Sequence, residues 1–136
     1  YTGVEGLTVA YGTGEDNSTA VEATADAWKV SYAYGPVTVT ATDLEYDHET
    51  STSDRDMESQ AVSYTISDEL SIGYGVEEIT DGSASSEKAE FSGFNVSYTA
   101  GGLTLTGKMQ EGDNISYSTA ATEDRELWVV GASFAF

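Results

Sequence analysis

The chain has 136 residues, with 24 acids against 5 Lys and Arg and a formal net charge of −19. That length suits one domain. Five scattered cations cannot build the basic surface that nucleic acid or an anionic lipid face requires, and a chain without cysteine has no disulfide scaffold and no thiolate zinc site.

Proline occurs once, at Pro36, while Gly, Ser, Thr and Tyr are abundant. This composition suits strands and tight turns. No apolar run reaches the ~18 residues of a transmembrane helix. The chain lacks an initiator Met and a signal peptide, so a processed product or a piece of something longer is expected.

Apolar residues alternate with small polar ones nearly throughout, which predicts an all-β, antiparallel, up-and-down arrangement over 1–136. Eight strands are expected, at 6–13, 26–34, 37–46, 59–66, 70–79, 89–100, 103–111 and 125–136. In the first, Leu7, Val9 and Tyr11 oppose Thr8, Ala10 and Gly12. In the second, Trp28, Val30, Tyr32 and Tyr34 oppose Lys29, Ser31 and Ala33. The third sets Val37, Val39 and Ala41 against Thr38, Thr40 and Thr42, and the fourth Val62, Tyr64 and Ile66 against Ser63 and Thr65. In the fifth, Leu70, Ile72, Tyr74 and Val76 oppose Ser71, Gly73, Gly75 and Glu77. In the sixth, Phe94, Val96 and Tyr98 oppose Asn95, Ser97 and Thr99. The seventh sets Leu103, Leu105 and Met109 against Thr104, Thr106, Lys108 and Gln110. The last sets Trp128, Val130, Ala132, Phe134 and Phe136 against Leu127, Val129, Gly131 and Ser133.

Val-Ser-Tyr recurs at Val30, Val62 and Val96, each time ahead of a short turn and an outgoing strand. The same phase places Tyr1-Thr2 at the end of a further copy, which implies a missing upstream strand. Connections alternate between two to four residues and about ten to fifteen acidic, Ser/Thr-rich residues, such as "TGEDNSTAVEATAD" and "YDHETSTSDRDME". Of the acids, only Glu5, Asp68 and Glu69 sit at the short-turn end.

Three features favour a barrel with the apolar face outward in lipid over a soluble sheet. Aromatics gather toward the strand ends, as two membrane interfaces ask: Tyr11, Trp28, Tyr32, Tyr34, Tyr64, Tyr74 and Tyr98 are the girdle candidates. The small polar face is nearly uncharged, which suits a water-filled lumen better than an outer surface. Short turns on one side and long loops on the other are the asymmetry of outer-membrane barrels. The lumen candidates are Lys29, Ser31, Thr38, Thr40, Glu77, Asn95, Thr106, Lys108 and Gln110. Lys29 and Lys108 would attract anions, unless each pairs with Glu77 or a loop carboxylate.

The ending "ELWVVGASFAF", with Trp128, Val130, Phe134 and Phe136 at alternate positions, resembles the terminal assembly signal of outer-membrane barrels. With "VSYTISDELSIGYG" and "FSGFNVSYTAGGLTLTGKM", the chain resembles the C-terminal half of alphaproteobacterial general porins, especially acidic ones of marine bacteria. The resemblance implies a segment of a barrel of ~16 strands, trimeric and passively diffusive, with short turns periplasmic and long loops extracellular. It also implies partners: outer-membrane lipid, lipopolysaccharide and the barrel-assembly machinery, but no nucleic acid. The constriction loop of that family lies in the other half, so no eyelet residue is carried over.

The acidic loop end predicts a mild preference for cations. Asp54, Asp56 and Glu58 alternate and could hold Ca²⁺ or Mg²⁺ loosely, although the glycine and the bidentate Glu of an EF-hand are missing. His48, between Asp47 and Glu49, reads as a solvated loop histidine. Nucleophile elbow, phosphate loop and Ser/His/Asp set are all absent, and the sequence therefore argues for no enzyme and no cofactor. A complete eight-stranded anchor or adhesin and a soluble ligand-binding β-domain are the alternatives. Small closed barrels fill their interior with side chains, and the small inward residues here would leave one hollow.

Overall fold

The computed structural model describes residues 3–16, 22–82, 88–117 and 124–135. Tyr1-Thr2 and Phe136, to which the sequence assigned an upstream copy and a terminal aromatic, lie outside the described residues. The strands are β1 (Leu7–Asp16), β2 (Ala23–Tyr34), β3 (Val37–His48), β4 (Arg55–Thr65), β5 (Leu70–Asp81), β6 (Ala89–Ala100), β7 (Leu103–Asp113) and β8 (Arg125–Phe134). They form one antiparallel sheet in the order β1 to β8. This is the up-and-down meander expected. The sheet is open: β1 and β8 are its two edges.

The short turns carry their own signals. Gly101 and Gly102 hold φ of 57° and 83°, the two positive values that a two-residue hairpin matching the sheet twist demands. Gly35 precedes Pro36 with φ 56°. Ser67 Oγ accepts from the amides of Glu69 and Leu70 in the third turn.

Register makes the outward face continuous. Leu7, Tyr32, Val39, Val62, Tyr74, Phe94, Met109 and Trp128 form a single cross-strand row through all eight strands. The row below runs Tyr34, Val37, Tyr64, Ile72, Val96, Gly107 and Val130. This apolar belt is open: Val130 is 88% exposed, Tyr34 76% and Trp128 67%. Among the described residues the buried apolar side chains are Ala23 and Ala89 alone, so the sheet has no core in the usual sense.

The belt slants across the register. On β2 it runs from Trp28 to Tyr34, on β5 from Leu70 to Val76 and on β8 from Trp128 to Phe134. The row of Val76 lies one below that of Trp28, and the row of Trp128 two below. The lower limit descends by the same amount, through Leu70 to Phe134. A belt of constant width that crosses the rows at an angle means strands tilted to the belt, as closure of a barrel requires.

The strands outrun their expected bounds. β2 begins at Ala23 rather than 26, β4 at Arg55 rather than 59, and β1, β3, β5 and β7 end two or three residues later than expected. Only β6 keeps both limits, and β8 stops at Phe134. The long links shrink accordingly, to between six residues (17–22) and eleven (114–124). The reason is an exchange of faces. Above the belt, the outward positions become carboxylates, while the inward row becomes Gly12, Ala27, Leu44, Met57, Ile79 and Ala89. The alternation continues with its phase reversed, and the backbone ladder is indifferent to that reversal.

Amide exchange tests this extension. Ala25 and Met57 lie on strands paired on both sides, so their amides should exchange as slowly as those of Val39 and Val62. Fast exchange there, with protection confined to the belt, would restore the shorter strands.

Candidate functional site

The concave face of the sheet is the small polar one. A cavity of about 510 Å³ opens on it, lined by Thr38, Thr40, Ser59, Ala61, Ser63, Gly73, Gly75, Glu77, Phe91, Gly93, Asn95, Lys108 and Gln110 among others. Its floor is small because the middle strands offer Ser, Ala and Gly inward. Asn95 pairs with Gly73 on one side and Lys108 on the other. Its amide lies over Gly73, where a Cβ would meet Nδ2 at 2.8 Å. Glycine at 73 therefore makes room for the Asn95 side chain.

The candidates inferred from the sequence share this face. Thr38, Thr40, Glu77, Asn95, Lys108 and Gln110 line the cavity itself. Ser31 sits beside it, its hydroxyl 3.1 Å from that of Thr40. Lys29 lies on the same wall toward β1, and Thr106 is paired with Ser97 toward the short turns. Phe91, which pairs with Glu77, has no counterpart among the expected residues. Its alternation with Gly93 and Asn95 placed it inward, but an aromatic on the polar face broke the pattern.

Neither Lys29 nor Lys108 has an ion-pair partner among the described residues. Glu77 lies in the row of Lys29 but three strands away, roughly 14 Å at the usual strand spacing. The pairing of either lysine with Glu77 is therefore corrected. The lysine that does pair is Lys88, whose Nζ lies 2.9 Å from Glu78 Oε2 on the other face.

The carboxylates depart furthest from expectation, because most of those described are on strands rather than in loops. Asp43, Glu58, Glu78, Glu90 and Asp113 form one row on the outward face. Asp26, Glu45 and Asp56 form the next. Glu15, Asp47, Glu111 and Glu126 complete the outward set. Glu77 and Asp81 point inward, Asp81 paired in register with Arg55. The rim is thus an outer cuff above the belt, not a lining of the mouth. Glu45 shows the crowding. Asp47 first, then desolvation and the charges of Asp56, Asp43 and Asp26, hold its carboxyl above the usual range.

The metal candidates do not converge. Asp54 Oδ1 accepts from the His48 amide at 2.8 Å, and His48 Nδ1 accepts from the Thr50 amide at 3.1 Å. His48 closes the β3–β4 turn at the end of a strand instead of lying free in a loop. Asp56 and Glu58 belong to the outer cuff, and no three His, Asp or Glu among the described residues assemble as metal ligands.

The aromatic candidates divide by height. Tyr11 and Trp28 pack at a tilt at the upper edge with centroids 4.5 Å apart, and Tyr11 Oη donates to Asp26 Oδ1 at 2.5 Å. Trp128 Nε1 donates to Glu126 Oε1 at 2.6 Å. Tyr11 and Trp128 keep their apolar bodies in the belt and their polar tips on the cuff, as interfacial aromatics do. Tyr34, Tyr98 and Phe134 edge the belt below. Tyr32, Tyr64 and Tyr74 fall within it, and Phe94, outside the girdle inferred from sequence, marks the upper edge on β6.

No family model matches the chain, and no curated protein does. Among solved structures it is similar to a loop L8 deletion mutant of OmpT, an outer membrane protein of Vibrio cholerae, with TM-score 0.64 and 18% identity over 95% of this chain and 49% of that one. It is also similar to outer-membrane expressed OmpT of Vibrio cholerae, with TM-score 0.55 and 20% identity over 79% of this chain and 42% of that one. The chain spans about half the length of the structures it matches. At this identity the likeness shows the fold, that of an outer-membrane β-barrel. It also corrects one expectation. The sequence argued against an enzyme from missing motifs, and the likeness to OmpT overturns that exclusion.

The cuff has a measurable consequence. A folded carboxyl held above its ordinary value of 4.5 contributes stability that is full below that value and lost as pH rises through the raised one. Glu45→Gln should therefore stabilise the fold at neutral pH and change little at pH 4. Thermal melts in detergent at both pH values check this, and a variant less stable at neutral pH would show that the crowding carries no penalty.

Proposed function

We propose that this chain is part of a water-filled channel of the outer membrane, of the general-porin kind, through which small hydrophilic solutes diffuse. One observation carries the reading: the large apolar side chains of the belt lie open on one face, while the other face carries a cavity lined mainly by Ser, Thr, Gly, Asn and Gln, with Glu77, Phe91 and Lys108 among them. A soluble sheet of this composition would turn the faces the other way. In lipid, the exposed belt meets hydrocarbon, the rim aromatics meet the headgroups, and the concave wall meets water.

The finer parts of the proposal follow from the same arrangement. The long links would be extracellular and the short turns periplasmic. The apolar β8, with Trp128, Val130 and Phe134 outward, suits presentation to the barrel-assembly machinery. The carboxylate cuff stands where lipopolysaccharide phosphates would lie, and loosely held Ca²⁺ or Mg²⁺ would bridge the two. The two open edges would pair with further strands to give a barrel of ~16, in a homotrimer. A cation preference from acidic loops has little support in this arrangement, because most of the described strand-borne carboxylates face away from the inner wall, Glu77 and Asp81 being the exceptions.

Two measurements test the reading. The complete barrel that contains this chain should give stepwise, ohmic conductance in planar bilayers, and its absence would overturn the channel. Ile72→Arg, in the middle of the belt, should cost about 2–4 kcal/mol of stability in lipid, as a lipid-facing arginine does. Ser71→Arg, on the inner wall, should cost far less. Equal losses measured by denaturant unfolding in vesicles would place both residues in the same environment.

A further inference from the structure

We infer that the wall formed by these eight strands favours small anions, through Lys29 and Lys108, against the sign of the chain's net charge. The inference rests on the channel reading and names the solutes it would favour: chloride, phosphate and small carboxylates.

The two lysines stand at one depth. Lys29 is the inward residue just below Trp28, the uppermost belt position of β2, and Lys108 is the inward residue just below Met109, the uppermost of β7. Because the belt slants, residues in different register rows stand at the same height. The corresponding positions on the other strands are Ala10, Thr40, Ser63, Gly75, Asn95 and Val129. All six are uncharged, so this level of the wall holds two cations and no anion.

The inward carboxylates do not cancel them. Asp81 is set against Arg55 near the mouth. Glu77 is two strands and two register rows from Lys108, about 17 Å, and roughly 14 Å from Lys29. Both separations exceed the ~8–10 Å screening length of physiological salt. Lys108 also stands beside Asn95 and Gln110 at the edge of the cavity, donors suited to an anion.

The outward carboxylates carry much of the negative charge and little of the inner field. They lie above the belt on the other side of the sheet, where bulk water and counterions screen them. Net charge sets the long-range field of the molecule. Permeation is decided by groups at the wall of the path.

Reversal potentials of the complete barrel that contains this chain, in planar bilayers under a KCl gradient at 0.1 M and above, decide the matter. Lys29→Gln/Lys108→Gln should lower the chloride-to-potassium permeability ratio by roughly twofold or more. Lys29→Arg/Lys108→Arg should keep it, and Asp43→Asn/Glu58→Gln/Glu78→Gln on the outer cuff should leave it unchanged. An unchanged ratio in the glutamine pair, or an equal shift in the cuff triple, overturns the inference while the channel stands. Loss of conductance in the unaltered barrel overturns the channel reading, and the inference with it.

Discussion

The unbroken antiparallel ladder is the constraint on which the other features depend. Each strand between β2 and β7 is hydrogen-bonded on both sides, so side chains have two directions to take and alternate between them without exception. A belt, an inner wall and an outer cuff are all consequences of that alternation combined with a shared register. A slip of one residue in β2 would send Lys29 to the belt and Val30 to the wall. The unbroken row from Leu7 to Trp128 shows that no strand has slipped.

The ladder also explains why the sheet continues past the belt. Backbone pairing needs no particular side chain, so the strands keep their partners after the surroundings change. What changes is which face is charged. Within the belt the apolar residues point out, and above it the carboxylates do, with Leu44, Met57 and Ile79 turned inward. The upper wall has the polarity of an ordinary water-soluble sheet and the lower wall the reverse. Trp28 and Trp128 stand at the border, and the hydrogen bond of Trp128 to Glu126 crosses it.

This division separates two meanings of charge. The total of −19 describes how the molecule looks from a distance. It does not describe the inner wall, where Lys29 and Lys108 stand at a level of neutral residues and most of the described strand carboxylates, Glu77 and Asp81 excepted, face the other side. The shared fold with OmpT extends over nearly all of this chain and about half of the neighbour. It defines the scaffold and leaves chemistry to the residues of the wall and rims.

Much was legible in the sequence, for a simple reason. Alternation is a local property, so the sorting of Lys29, Asn95 and Lys108 from Val30, Phe94 and Met109 followed from their positions. The short turns were legible because Gly101-Gly102 and Gly35-Pro36 announce their geometry. The strand ends were not, because the phase reversal at Asp43-Leu44 and Met57-Glu58 looks like a loop when only apolar residues are counted. Nor was the direction of most acids: alternation placed Glu77 inward, but Glu58 read as part of an acidic loop with Asp54 and Asp56. Their faces depend on register across strands far apart in the chain. Sequence determined which residues alternate. Tertiary structure decided which residues of different strands stand at the same height, because strand tilt sets that relation and tilt is a property of the whole sheet.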